Sequence, residues 1–182
     1  MSLVADSERP PGASLENATR VAVVGALSAT TMLFASLVSA YLVRRSFADW
    51  RAAPALWPFA LLAFAVAASA GIEVASRSTG TARRRGFQGL AFGTFLYLAG
   101  AIMVIVSIAR DTDGLGPPNR AFAVMLLGTH VVHAILGAAF SAWALRVVEG
   151  GPGAHSLALA RLVTHFLTAL LFAIVLVLCL LP

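Results

Sequence analysis

The sequence predicts an all-α protein, an integral membrane bundle of five transmembrane helices. Three observations carry this. The 182 residues are 59% hydrophobic and only 12% charged. Mean hydropathy is +0.88. Five apolar runs of about twenty residues, the length a spanning helix requires, are bounded by arginines. A water-soluble domain is about a quarter charged, so this supply of charge cannot cover a soluble surface. Lipid must cover most of the molecule, and helices satisfy every backbone group inside it.

The runs follow from the charges. The first spans Val21 to Val43 and stops at Arg44 and Arg45. The second spans Ala55 to Ser76 before Arg77, with Pro58 near its start and Glu73 near its end. The third, Phe87 to Ala109, lies between Arg85 and Arg110, and the fourth, Ala121 to Leu145, between Arg120 and Arg146. The fifth runs from Leu162 to Leu181 after Arg161. Residues 1–19 are expected to form a polar tail, with Pro10, Pro11 and Gly12 opposing order, and residues 20–182 one transmembrane domain. The tail lacks the basic start and short apolar core of a secretion signal. Ser46–Pro54, Ser78–Arg84, Asp111–Pro118 and Val147–Ala160 are expected as connections, the last broken by Gly150, Gly151, Pro152 and Gly153.

Net charge is +5, from thirteen arginines and no lysine. Arginines at helix ends beside headgroups account for it without nucleic acid. Arg9, Arg20, Arg77, Arg83, Arg84, Arg85, Arg146 and Arg161 fall on one face, and Arg44, Arg45, Arg51, Arg110 and Arg120 on the other. The positive-inside rule then predicts a cytoplasmic N-terminus and an external C-terminus. Cys179 is the single cysteine, which excludes an internal disulfide and a paired-cysteine metal site. No P-loop, nucleophile elbow or dinucleotide fingerprint is present.

Ionisable residues inside a bilayer are expensive and each needs a reason. Four qualify: Glu73, His130, His133 and His165. Glu73 lies four residues before Arg77 and His165 four after Arg161, so both sit about 6 Å from the same membrane face and are expected to touch. His130 and His133, three apart, share one face of the fourth helix. Such a pair could ligate a metal or haem, but further ligands are needed, and Glu73 and His165 are expected about 13–18 Å away in depth. Hydrogen bonding to neighbouring helices is the expected role. No catalytic, cofactor-binding or metal-binding residue is expected, and His155 is read as a solvated loop residue. Small residues at Ala67–Gly71, Gly93, Gly100 and Gly137–Ala139 favour close helix approach.

Four stretches resemble subunit III of the haem–copper oxidases, the cytochrome c and quinol oxidase family, in its short five-helix form. Phe34-Ala35 followed by Ala40-Tyr41 and Arg44, with Trp50 beyond, resembles one family segment. Ser69 to Ala75, with Glu73 ahead of a basic stretch, resembles a second. Thr129-His130-Val131-Val132-His133 leading to Gly137 resembles the family's Thr-His-x-x-His-x-x-x-Gly, and Thr164-His165-Phe166 its Trp-His-Phe. Thr164, Thr168 and Leu171 depart from the family's Trp, Asp and Trp, and the third run holds no carboxylate where relatives often carry Glu.

The resemblance implies an accessory subunit that holds no haem or copper itself. Haem and copper belong to its partners, the catalytic subunit I and other oxidase subunits, and phospholipid binds in its helix grooves. It also implies a role in stabilising subunit I and assisting proton uptake. The alanine- and arginine-rich composition associates the chain with a GC-rich bacterium, hence a bacterial inner membrane. The alternatives are a nitric oxide reductase subunit, a small transporter, or a haem-binding membrane protein.

Overall fold

The structure, a computed structural model, describes residues 11–47, 56–110, 117–149 and 154–180. Five helices follow one another: α1 (Pro11–Arg45), α2 (Leu56–Arg77), α3 (Gly80–Ala109), α4 (Pro117–Glu149) and α5 (Ala154–Leu180). No strand occurs among the described residues. Each helix is long and apolar enough to cross a bilayer. The shortest, α2, has 22 residues and is about 33 Å long, against a hydrocarbon core of about 30 Å. The chain is an all-α, multi-pass membrane protein.

The helices overrun the apolar runs that predict them. Apolarity marks where the chain meets hydrocarbon, whereas backbone hydrogen bonding carries a helix on into the headgroup layer. Residues 11–19, expected in the polar tail, belong to α1. The connection expected at Ser78–Arg84 shrinks to Ser78 and Thr79, which places Arg83, Arg84 and Arg85 on the first turns of α3. Most of Val147–Ala160, expected as a loop, belongs to α4 and α5. Pro117 and Pro118 open α4, where a missing N–H has no intrahelical role. Residues 1–10, Arg51, Trp50, Asp111–Gly116 and Gly150–Gly153 lie outside the described residues.

α2, α3, α4 and α5 form a closed ring in which α3 packs on α2 and α4, and α5 on α4 and α2. Among the described residues, α1 leans on the outside of the ring against α4 and α5 alone. Without a hydrophobic force between helices in lipid, close van der Waals contact must hold them. The α2–α3 pair shows how. A Cβ added to Gly93 would lie 2.6 Å from the Ala68 backbone nitrogen. One on Gly86 would strike the backbone of Ala75, and one on Gly100 would come within 2.9 Å of the Leu61 side chain. Gly71 is equally closed in, against Leu90 and Gly86. Gly86, Gly93 and Gly100 recur every seven residues, as do their partners Ala75, Ala68 and Leu61. That shared spacing keeps one seam facing the partner along both helices.

The core is layered. Ala68, Ile72, Phe87, Ala144 and Ala160 pack near the Arg77 end of α2. Leu61, Tyr97, Leu127, Leu171 and Val175 fill the other half. Phe34 and Tyr41 dock α1 against Leu126, Ile174 and Leu178. Outside, large apolar side chains stay bare: Met103 is 73% exposed, Met32 71% and Phe95 66%. A surface of that kind belongs in lipid.

Candidate functional site

Three polar contacts stitch the ring together, and all three reach α5. On α2, Ser69 and Glu73 lie four residues apart on one face. On α5, His165 and Thr168 lie three apart. The two stripes face each other. His165 Nε2 lies 3.1 Å from Glu73 Oε2, the contact expected from their matched depth. Arg77 also binds the Glu73 carboxylate, through Oε1. Arg161 Nε stands 3.8 Å from Oε2. One carboxylate therefore gathers two guanidinium groups and an imidazole. The cluster is open at the edge of the bundle: the Arg77 side chain is 74% exposed and that of His165 45%.

A turn deeper, the Ser69 and Thr168 hydroxyls are 2.7 Å apart. Thr168 donates onward to the Ala65 carbonyl at 3.3 Å, so Ser69 is the donor to Thr168. The chain of two hydroxyls ends on a carbonyl of α2 and joins it to α5.

His130 is the deepest polar group and is 2% exposed. Its Nε2 lies 2.9 Å from the Leu167 carbonyl of α5. A carbonyl only accepts, so Nε2 carries the proton, and burial of the ring favours its neutral form. Nδ1 is then an acceptor, and the Tyr97 hydroxyl donates to it from α3 at 2.5 Å. One imidazole thus ties three helices, α3, α4 and α5. His133 behaves differently. Its Nδ1 donates to the Thr129 carbonyl of its own helix at 2.8 Å. The two histidines do share a face: the Phe34 ring of α1 meets both edge-on, with centroids 6.3 Å and 5.8 Å away.

A cavity of about 50 Å³ opens beside His130, with Tyr97, Thr94, Ser141, Thr164 and Thr168 among its walls. The Ser141 and Thr164 hydroxyls donate to carbonyls of their own helices. Among the described residues, no three His, Cys, Asp or Glu side chains converge as a metal cage.

Two expectations change. His155 is not a loop residue; it sits in the first turn of α5, and its Nε2 is buried without a hydrogen-bond partner among the described residues. The separation of the histidine pair from Glu73 and His165 also shrinks. His130 uses the carbonyl of Leu167, two positions from His165, which is about 3 Å of rise along α5. The expectation counted rise along the fourth and fifth helices from Arg146 and Arg161 as if both marked one depth, and the bond to Leu167 brings the two counts together.

The sequence reading missed Tyr97 as a partner of His130, and Ser69 and Thr168 as a bonded pair. The repeat of polar residues at helical spacing on α2 and α5 carried the second signal. A lone tyrosine in an apolar run carries none. No family model matches the chain, and no curated protein and no solved structure matches it either.

Proposed function

We propose that the chain is a non-catalytic accessory subunit, similar to subunit III, of a respiratory haem–copper terminal oxidase. The observation that carries this is where the four resembling stretches meet. Phe34 of the first packs on His130 and His133 of the third. Glu73 of the second bonds His165 of the fourth. The four stretches thus meet in two pairs, the first with the third and the second with the fourth, which supports the resemblance.

The chemistry is that of a scaffold. Glu73, His165 and His130 are engaged between helices, and His133 bonds within its own. On this reading the chain packs against the catalytic subunit I, holds lipid in its grooves, and leaves haem and copper to its partners. Any help with proton uptake rests on Glu73 and His165, because α3 carries no carboxylate. That departure keeps a nitric oxide reductase as the alternative parent complex. The proposed setting is a bacterial inner membrane, with the N-terminus cytoplasmic and the C-terminus outside, following the arginine bias.

Purification of the tagged chain in mild detergent from its own membranes tests the reading. Co-isolation of a large subunit with a reduced-minus-oxidised haem spectrum is expected, and oxygen and nitric oxide turnover assays on that complex separate the two parent enzymes. Recovery of the chain alone, under conditions that keep other respiratory complexes whole, would end the proposal.

A further inference from the structure

We infer that the cavity at the centre of the ring is a binding site for ordered water, and that this water joins hydroxyl groups of α3, α4 and α5 to one another. The inference rests on the four ring helices and on nothing about the parent complex.

The walls come from every helix of the ring. They include Ala65 of α2, Thr94 and Tyr97 of α3, Ser141 of α4, and Thr164 and Thr168 of α5. The centre stays open because its other facing positions, Ala134 and Gly137 among them, are too short to close it. The cavity measures about 50 Å³. One water needs about 10–15 Å³, so there is room for more than one. An apolar cavity of this size stays dry, whereas one with several polar partners holds water.

The hydrogen-bond inventory decides what the occupant must be. Tyr97 donates to His130. Ser141 and Thr164 donate to the Gly137 and Ala160 carbonyls of their own helices. Thr168 donates to the Ala65 carbonyl. A hydroxyl has one proton and two lone pairs. Each of these four has its proton engaged and keeps acceptor capacity. Thr94 makes no side-chain hydrogen bond among the described residues, so it keeps its donor too. The wall is thus rich in acceptors and poor in donors. An acyl chain offers such a wall nothing. Water brings two protons and accepts one from Thr94, which is the complement the wall needs. A hydroxyl left unpaired inside a bilayer is costly, because no bulk solvent reaches it.

The site lies close to a source. Thr164 precedes His165, whose side chain is 45% exposed at the edge of the bundle. Thr168 lies about one helical turn further in, a rise of about 6 Å.

Water-edited solid-state NMR of the isotope-labelled full chain in lipid vesicles tests the site. Magnetisation is expected to pass from water protons to Thr94 and Tyr97, as it does to Thr79 at the exposed turn before α3. Thr31, on the outer face of α1 with its hydroxyl bonded to the Leu27 carbonyl, is expected to receive none. Ala134→Leu, which fills the cavity, is expected to abolish transfer to Thr94 and Tyr97 and to leave Thr79 unchanged. Ala134→Val serves if Ala134→Leu does not fold. A second measurement turns on a sign. Thr94→Val keeps the shape and removes the hydroxyl. In a hydrated cavity it takes a partner from the water and lowers the unfolding midpoint; in a dry one it removes an unpaired group and raises it. Absence of transfer to Thr94 and Tyr97 would overturn the inference. So would transfer from acyl-chain protons in its place, transfer undiminished in the filled variant, or an unchanged or raised midpoint for Thr94→Val. None of these readouts needs a partner subunit, so the site can fail while the oxidase reading stands.

Discussion

Tyr97 and His130 are locked by complementary demands. The tyrosine must donate, the imidazole nitrogen facing it must accept, and the Leu167 carbonyl fixes which nitrogen that is. Tyr97→Phe leaves a buried acceptor bare, a loss of about 1–3 kcal/mol, to be read as a lower unfolding midpoint in detergent. Tyr97→Phe combined with His130→Leu should cost less than the sum of the single changes, because the second change removes the orphan. At the Glu73 cluster the order of effects is the prediction. His165→Ala should destabilise more than Arg77→Ala, since His165 joins α5 to α2 while Arg77 pairs within its own helix. Equal midpoints for these two variants would contradict that. The Glu73–His165 contact was legible in the sequence because each residue is four positions from an arginine that marks the membrane edge. Tyr97 was not legible, because one hydroxyl in an apolar run has no periodic partner to announce it. The depth of His130 relative to His165 was misread for a related reason: arginines on two helices need not lie at one depth.

Helix pairs differ in what binds them. α2 and α3 meet backbone to backbone at Gly71, Gly86 and Gly93, where an added carbon has no room. Gly93→Val should weaken the fold by about 3 kcal/mol or more, as overpacking with no room to relax does, or prevent folding. Gly25→Ala, with nothing within 4 Å of the added carbon, should be neutral or stabilise by up to about 1 kcal/mol. Parallel unfolding curves of the two variants check both. The small-residue stretches Ala67–Gly71, Gly93 and Gly100 pointed to close approach from composition alone. The sevenfold register that pairs them became visible only when α2 and α3 were laid side by side, because a spacing in one helix does not name its partner. The basic cluster Arg83–Arg85 shows the opposite limit. It was legible as charge, but Arg83 and Arg84 were misassigned to a loop, since arginine is a good helix former and nothing local stops α3 before Gly80.

Over the whole molecule, the ring of α2 to α5 and the outrigger α1 need not come apart together. Among the described residues α1 touches only α4 and α5, and only 11% of its apolar window is buried, against 39% for α2. A spectroscopic label at Ser36 should therefore report release of α1 at a lower denaturant concentration than a label at Phe92 reports loss of α3. Coincident midpoints would show one cooperative unit. The turn between α2 and α3 carries a separate consequence. Two residues, Ser78 and Thr79, join the helices, and Gly80 takes φ +56°, which favours glycine. A link that short holds the two helices as an antiparallel hairpin and gathers Arg77, Arg83, Arg84 and Arg85 at its bend, so any change of direction of one helix across the bilayer carries the other with it.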